Sequence, residues 1–174
     1  MVGGSGFIMN YARITKYDIA NGQGVRVVLW VSGCEHHCKN CHNPETWDSN
    51  YGKPFDFEAY DELMKALEPD YISGLTFSGG DPLRPGNAET CLIVAQSAKQ
   101  RFPNKDIWCW TGYTLDELKS MPEAMSALTY IDYLIDGEFV EDLKDITLKW
   151  RGSSNQRIYK KVGYDFVDVT EEIG

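Results

Sequence analysis

Residues 25–48 read VRVVLWVSGCEHHCKNCHNPETWD, and the junction in the middle of this stretch decides the reading of the chain. Val25–Val31 is an apolar, β-branched run long enough for a buried strand. It runs without a break into Ser32-Gly33, and then into three cysteines, Cys34, Cys38 and Cys41, within eight residues. A buried strand that empties into a reactive loop is the unit from which parallel α/β proteins are built. In those folds the chemistry gathers at the carboxyl ends of the strands.

Outward from that junction the same unit recurs. Asp56 is placed to cap a helix over Phe57–Leu67, with Tyr60, Leu63, Met64 and Leu67 forming one apolar stripe. Pro69-Asp70 ends it. A second strand over 74–78 runs into Gly79-Gly80-Asp81-Pro82. Asn87 then caps a helix reaching about Phe102, with Cys91, Leu92, Ala95 and Phe102 on its inner side. A third strand over Asp106–Trp110 stops at Thr111-Gly112. Thr114-Leu-Asp-Glu117 is a capping box opening a short helix. A fourth strand over 130–135 ends in Asp136-Gly137. The order strand, loop, helix predicts parallel strands. The cysteines, Gly79-Gly80-Asp81, Thr111-Gly112 and Asp136-Gly137 would all meet at one end of the sheet. A closed eight-fold barrel needs about 250 residues, and the chain has 174. The expected fold is therefore an α/β, incomplete, laterally open (β/α) barrel of parallel strands, one domain over residues 9–174. Residues 1–8, small and Gly-rich ahead of Met9-Asn10-Tyr11, read as a leader.

Composition narrows the function. The net charge of −9 argues against nucleic acid as a partner, which would require a basic face. No apolar run approaches the roughly 20 residues needed to span a bilayer, so no membrane partner is expected. A cytoplasmic, reducing setting is the expectation, and clustered cysteines there point to metal or catalysis rather than to disulfides. Two metal readings follow from the spacing. A structural zinc site prefers two separated ligand pairs, and no second pair occurs, although His36, His37 or His42 could supply a fourth ligand. A 4Fe–4S cluster on three thiolates would leave its fourth iron open.

The ordered set of motifs carries a resemblance. Cys34-x3-Cys38-x2-Cys41 resembles the cluster motif of radical S-adenosylmethionine enzymes. Gly22-Gln23-Gly24-Val25-Arg26, Cys41-His42-Asn43 and Thr46-Trp47-Asp48 resemble the glycyl-radical-enzyme activases. Phe77-Ser78-Gly79-Gly80-Asp81-Pro82-Leu83 is similar to their Gly-Gly-Glu motif. The stretches 106–113, 134–139 and 150–156 resemble the branch that serves the anaerobic ribonucleoside-triphosphate reductase. The resemblance implies a radical-SAM type of fold and a 4Fe–4S cluster on Cys34, Cys38 and Cys41. S-adenosyl-L-methionine would chelate the open iron. It implies that Gly79 and Gly80 admit the cofactor closely, and that Asp81, where relatives more often carry Glu, faces its ammonium group. Asn40 stands where an aromatic residue is usual, and with His42 it is a candidate for the adenine. Thr111 and Asp136 fall where relatives contact the ribose or the methionyl carboxylate. Glu138 stands where a formate-lyase activase has a ribose-contacting Lys. Ser153, Ser154 and Asn155 could hold a carboxylate. His36 and His37 read as exposed loop residues, Trp108 and Trp110 as packing, and Cys91 as a small hydrophobe.

The implied reaction is one-electron cleavage of S-adenosylmethionine to a 5′-deoxyadenosyl radical, which takes hydrogen from a glycine on a loop of the reductase large subunit. A flavodoxin-like protein would be the electron donor. Activation of pyruvate formate-lyase, a small-molecule radical enzyme and a non-catalytic metal-binding adaptor are the alternatives.

Overall fold

A computed structural model describes residues 7–41 and 43–174. Eight strands form one open sheet in the order β3-β1-β2-β4-β5-β6-β7-β8. They are β1 (Asn10–Asp18), β2 (Val25–Val31), β3 (Lys53–Pro54), β4 (Ile72–Gly79), β5 (Asp106–Trp110), β6 (Tyr133–Asp136), β7 (Arg157–Val162) and β8 (Asp165–Asp168). The central four, β2, β4, β5 and β6, are parallel, each laid beside the one before it. Helices α1 (Phe57–Leu67), α2 (Ala88–Arg101) and the pair α3 (Leu115–Leu118) and α4 (Pro122–Leu128) supply the crossovers. A last short helix, α5, covers Thr170–Ile173. No helix among the described residues is long and apolar enough to cross a membrane.

The predicted parallel core is present, but the sheet is only partly parallel. Strands β1 and β3 on one flank and β7 and β8 on the other are antiparallel, and none of the four was read from the sequence. Each is half-exposed or very short, so none offers the continuous apolar run of a strand buried on both faces. A second correction concerns residues 130–135. The strand is Tyr133–Asp136, because α4 ends in a turn that absorbs Tyr130 and Ile131: their amides donate to Ala127 O and Leu128 O at 3.1 and 3.2 Å. Residues 1–6 of the expected leader lie outside the described residues. Phe7 packs edge-on against Phe55 at 5.1 Å between ring centroids.

Alternation along the strands separates two faces. Val27, Leu29 and Val31 of β2, Leu75 and Phe77 of β4, and Ile107 and Cys109 of β5 enter the large core beneath the helices. Leu63, Met64 and Leu67 meet them from α1, and Cys91, Val94 and Ala95 from α2, as the helical periodicity predicts. The opposite face carries Arg26, Thr76 and Trp108, all fully buried. Trp108 stacks on Tyr133 at 4.5 Å and meets Trp150 edge-on at 5.4 Å. Polar and aromatic groups therefore fill this side at the amino ends of the strands, and the carboxyl ends are left for a site.

Candidate metal and cofactor site

The cysteine loop is held in place by its backbone. Gly33 N donates to Thr46 O at 2.6 Å and Cys34 N to Trp47 O at 3.1 Å. Asp81 N donates back to Gly33 O at 2.8 Å, and Gly80 N to Val31 O at 2.9 Å. The loop after β2 and the turn after β4 are thus stitched edge to edge. The glycines of that turn are required by the contact: at Gly79 (φ +111°) a Cβ would sit 2.6 Å from Val31 O, and at Gly80 one would sit 2.6 Å from Gly33 O. Gly79 thereby approaches the end of β2, and Gly80 approaches the backbone of the cysteine loop. Asn87 completes the joint. It stands at the N-cap of α2 without capping it by its side chain. Its Nδ2 donates instead to Ser32 O and Asp81 O, at 2.9 and 3.0 Å.

Cys34, Cys38 and Cys41 are free thiols, all partly exposed. They line one cleft of about 160 Å³ together with Gly79, Gly80, Asp81 and Thr111. Thiolates are the ligands of iron–sulfur clusters, and three thiols opening on a common cleft fit three of the four iron positions of a 4Fe–4S cluster. Burial, opposed by backbone bonds and aided by Asp81, pushes the Cys34 thiol up to about 11; burial and then Glu138 also raise Cys38. Metal binding here must release protons, as it does wherever thiolates are the ligands.

Asp81, 1% exposed, is the hub of the cleft. Its Oδ1 accepts from Leu83 N at 3.0 Å and from Thr111 Oγ1 at 2.8 Å. Its Oδ2 accepts from Gly112 N at 2.9 Å and lies 2.8 Å from His36 Nε2. The other ring nitrogen, Nδ1, is 2.7 Å from Glu138 Oε2. His36 was expected as an exposed loop residue, yet its side chain is 8% exposed and bridges two carboxylates. Burial disfavours its cation, but the bonds and charges of Asp81 and Glu138 outweigh it and raise His36 to about 9. Its pairing depends on a residue 45 positions away, so spacing within the cysteine motif gave no sign of it. His37 is exposed, as expected, and stacks on Trp47 at 4.5 Å.

The remaining candidates divide. Thr111 lines the cleft, with its hydroxyl given to Asp81. Asn40 is exposed and adopts a left-handed turn conformation, φ +58°. His42 lies outside the described residues. Asp136 is buried and belongs to an adjoining cavity of about 550 Å³. It accepts from Leu115 N at 2.7 Å and Arg157 N at 3.3 Å, and burial raises its pKa. Gly137 borders both cavities. Ser153 Oγ accepts from Val140 N at 3.1 Å and Asn155 Nδ2 donates to Glu138 O at 2.8 Å, so both brace a strap over the cleft. Gln156 is the brace that sequence reasoning missed. Its Oε1 accepts from Gly152 N and Ser153 N, and its Nε2 donates to Gly137 O. Trp110, expected only to pack, also borders the cleft, and its Nε1 donates to Trp150 O at 2.9 Å.

A thiol-lined cleft at the carboxyl ends of a partly parallel sheet defines the class, and comparison with known families agrees: residues 20–159 match the family described as "4Fe-4S single cluster domain". Similar curated proteins narrow this. The anaerobic ribonucleoside-triphosphate reductase-activating protein of Haemophilus influenzae is 47% identical over 154 residues, 87% of this chain and 98% of that one. The protein of the same name from Escherichia coli K12 is 46% identical over 153 residues, with the same coverage. That of enterobacteria phage T4 is 45% identical over 151 residues, 87% of this chain and 94% of its own. The chain belongs to the family of anaerobic ribonucleoside-triphosphate reductase-activating proteins.

Proposed function

We propose that the chain is the activase of an anaerobic ribonucleoside-triphosphate reductase, working through a radical-SAM fold in the cytoplasm. Cys34, Cys38 and Cys41 would hold the 4Fe–4S cluster, and S-adenosyl-L-methionine would bind beside it. When bound, the pair supplies one-electron cleavage of the cofactor, and with it a carbon radical able to take hydrogen from a glycine of the reductase large subunit. A flavodoxin-like protein would deliver the electron. The observation that carries this reading is the meeting of all three cysteines with the Gly79–Asp81 turn in one cleft, in a chain so similar to named activases.

The chain's own residues have definite work in this scheme. Three thiols from one loop would hold three iron positions and leave the fourth without a protein thiol. Asp81 is the carboxylate within reach, and an amine meeting its Oδ2 would take the place now held by His36 Nε2. Thr111 Oγ1 and Gly112 N keep both carboxylate oxygens aimed at the cleft throughout. Trp110 and Phe139 give the cleft an apolar wall that keeps water from a reactive centre. A second bowl of about 420 Å³ shares Trp110, Phe139, Ser78 and Gln156 with it and carries Trp30 and Trp150. That bowl is where a glycine loop of the partner would enter from the side. Mixing the reduced, iron-loaded chain with S-adenosylmethionine and the reductase should give a glycyl doublet in electron paramagnetic resonance. A doublet on pyruvate formate-lyase and none on the reductase would overturn the partner.

A further inference from the structure

Cys34 Sγ, a ring nitrogen of His36 and a carboxylate oxygen of Asp81 all lie within 4.8 Å of one another. A thiolate, an imidazole and a carboxylate are the ligand set of a single borderline divalent ion. Zinc and its neighbours take such atoms at roughly 2.0–2.3 Å, which in a tetrahedron places ligand atoms about 3.3–3.7 Å apart. The trio would close on an ion by small shifts, with the 2.8 Å contact between His36 and Asp81 opening. The surroundings are those of a built site. Glu138 Oε2 sits 2.7 Å from His36 Nδ1, the outer carboxylate that fixes a metal-bound imidazole and its tautomer. Thr111 Oγ1 and Gly112 N fix Asp81 in the same way. Cys38 and Cys41 border the cleft but stand outside the trio.

We propose that the iron-free chain binds one divalent ion of the zinc and cobalt class at Cys34, His36 and Asp81, in competition with the cluster. The competition rests on the reading of Cys34 as a cluster ligand; the ion site itself does not. The ion would cap both the thiol needed by the cluster and the carboxylate needed by the cofactor, so a chain loaded with it is held inactive.

The test is an anaerobic titration of the iron-free full-length protein with Co2+, followed by its visible ligand-field bands and its sulfur-to-cobalt absorption. One cobalt per chain is expected. His36→Ala should lose it, and Glu138→Gln should bind about ten- to a hundred-fold more weakly. Cys38→Ser and Cys41→Ser should bind as the parent does. Glu138 is half-exposed, so its variant decides the matter even if His36→Ala disturbs the loop. Three results would each overturn the site: no cobalt bands in the parent, unchanged binding in either His36→Ala or Glu138→Gln, or loss of binding in Cys38→Ser or Cys41→Ser. Zinc added before iron and sulfide should also suppress the cluster's visible absorption. Full cluster formation with zinc retained would refute the competition. Because the titration uses no iron, its failure leaves the cluster reading to be judged on iron content alone.

Discussion

The sheet carries a buried charge near each end of its parallel strands, and the two are satisfied in different ways. At the amino ends Arg26, with no exposed surface, donates from Nε to Thr76 Oγ1 at 2.8 Å, from NH1 to Gln23 O at 3.0 Å, and from NH2 to Leu75 O and Asp106 O at 2.9 and 3.2 Å. It also pairs with Asp106 Oδ1 at 2.7 Å. Its contacts join three strands, and its guanidinium lies over the Trp108 ring, 5.5 Å from the centroid. At the carboxyl ends Asp81 is equally well supplied, but one of its partners, His36, is a side chain of the cysteine loop that lines the cleft. A charge whose partners are mainly backbone is fixed for good. A charge with one exchangeable side-chain partner can be offered to a ligand.

Breaking the comparison outright takes the cysteines. Replacing Cys34, Cys38 or Cys41 singly with Ala should abolish the 4Fe–4S absorption and all cleavage of S-adenosylmethionine, while Cys91→Ala and Cys109→Ala, both on buried core residues, should keep the cluster. Four irons retained in any of the first three variants would sink the ligand assignment. The next largest effect belongs to the other end. Arg26→Met removes one partner of a buried ion pair, takes away the donor to Thr76 Oγ1 and leaves three carbonyls without the guanidinium. Removing one member of such a pair typically costs about 3–5 kcal/mol, and Asp106 is a third exposed, so roughly 3 kcal/mol is expected in urea unfolding. Iron uptake per folded chain should be unchanged. A loss of iron uptake with little loss of stability would reverse the roles given to the two ends.

Asp81→Asn sharpens the contrast. The amide keeps the volume and one acceptor, so the turn should survive and iron content should stay at the parent value. Loss of a hydrogen bond to a charged group is worth about 1.5–3 kcal/mol, or on the order of ten- to a hundred-fold in cofactor affinity. An equilibrium titration showing unchanged affinity would make Asp81 a brace for Thr111 and Gly112 and nothing more.

These roles were unequally legible in the sequence. The parallel strands and α1 are marked by continuous apolar runs or a clean helical stripe, and Asp56 caps α1 as read, its side chain accepting from Ala59 N at 2.9 Å. The cysteines announce themselves by spacing. The antiparallel flanks do not, because residues 10–18 mix charged and apolar groups on a half-exposed strand. His36 and Gln156 were missed for another reason. Each owes its role to partners brought by distant segments: Asp81 and Glu138 for the first, Gly137 for the second. Asp136 illustrates the converse. Its place at a strand end suggested either a ligand contact or a turn role, and the structure shows a bond the sequence did not: its oxygens accept from the amides of Leu115 and Arg157.

The smallest effect tests whether the carboxyl end is one responsive unit or a set of separate anchors. Thr114, which follows the Thr111-Gly112 turn, opens α3 with the reciprocal capping box read from the sequence: Glu117 N donates to its Oγ1 at 3.2 Å, and its own N donates to Glu117 Oε1 at 2.9 Å. Both residues border the adjoining cavity rather than the cysteine cleft. Loss of such a cap costs about 1 kcal/mol, so Thr114→Ala should lower the unfolding midpoint slightly. Gly112 N is bonded to Asp81, not to the cap, and Thr111 N is held by Ile135 O at 2.9 Å. Cofactor affinity should therefore stay within about two-fold of the parent, a difference of roughly 0.4 kcal/mol. A ten-fold loss of affinity from this exposed cap would mean that the start of α3 holds Asp81 in place, and that the hub extends one turn beyond the residues that touch it.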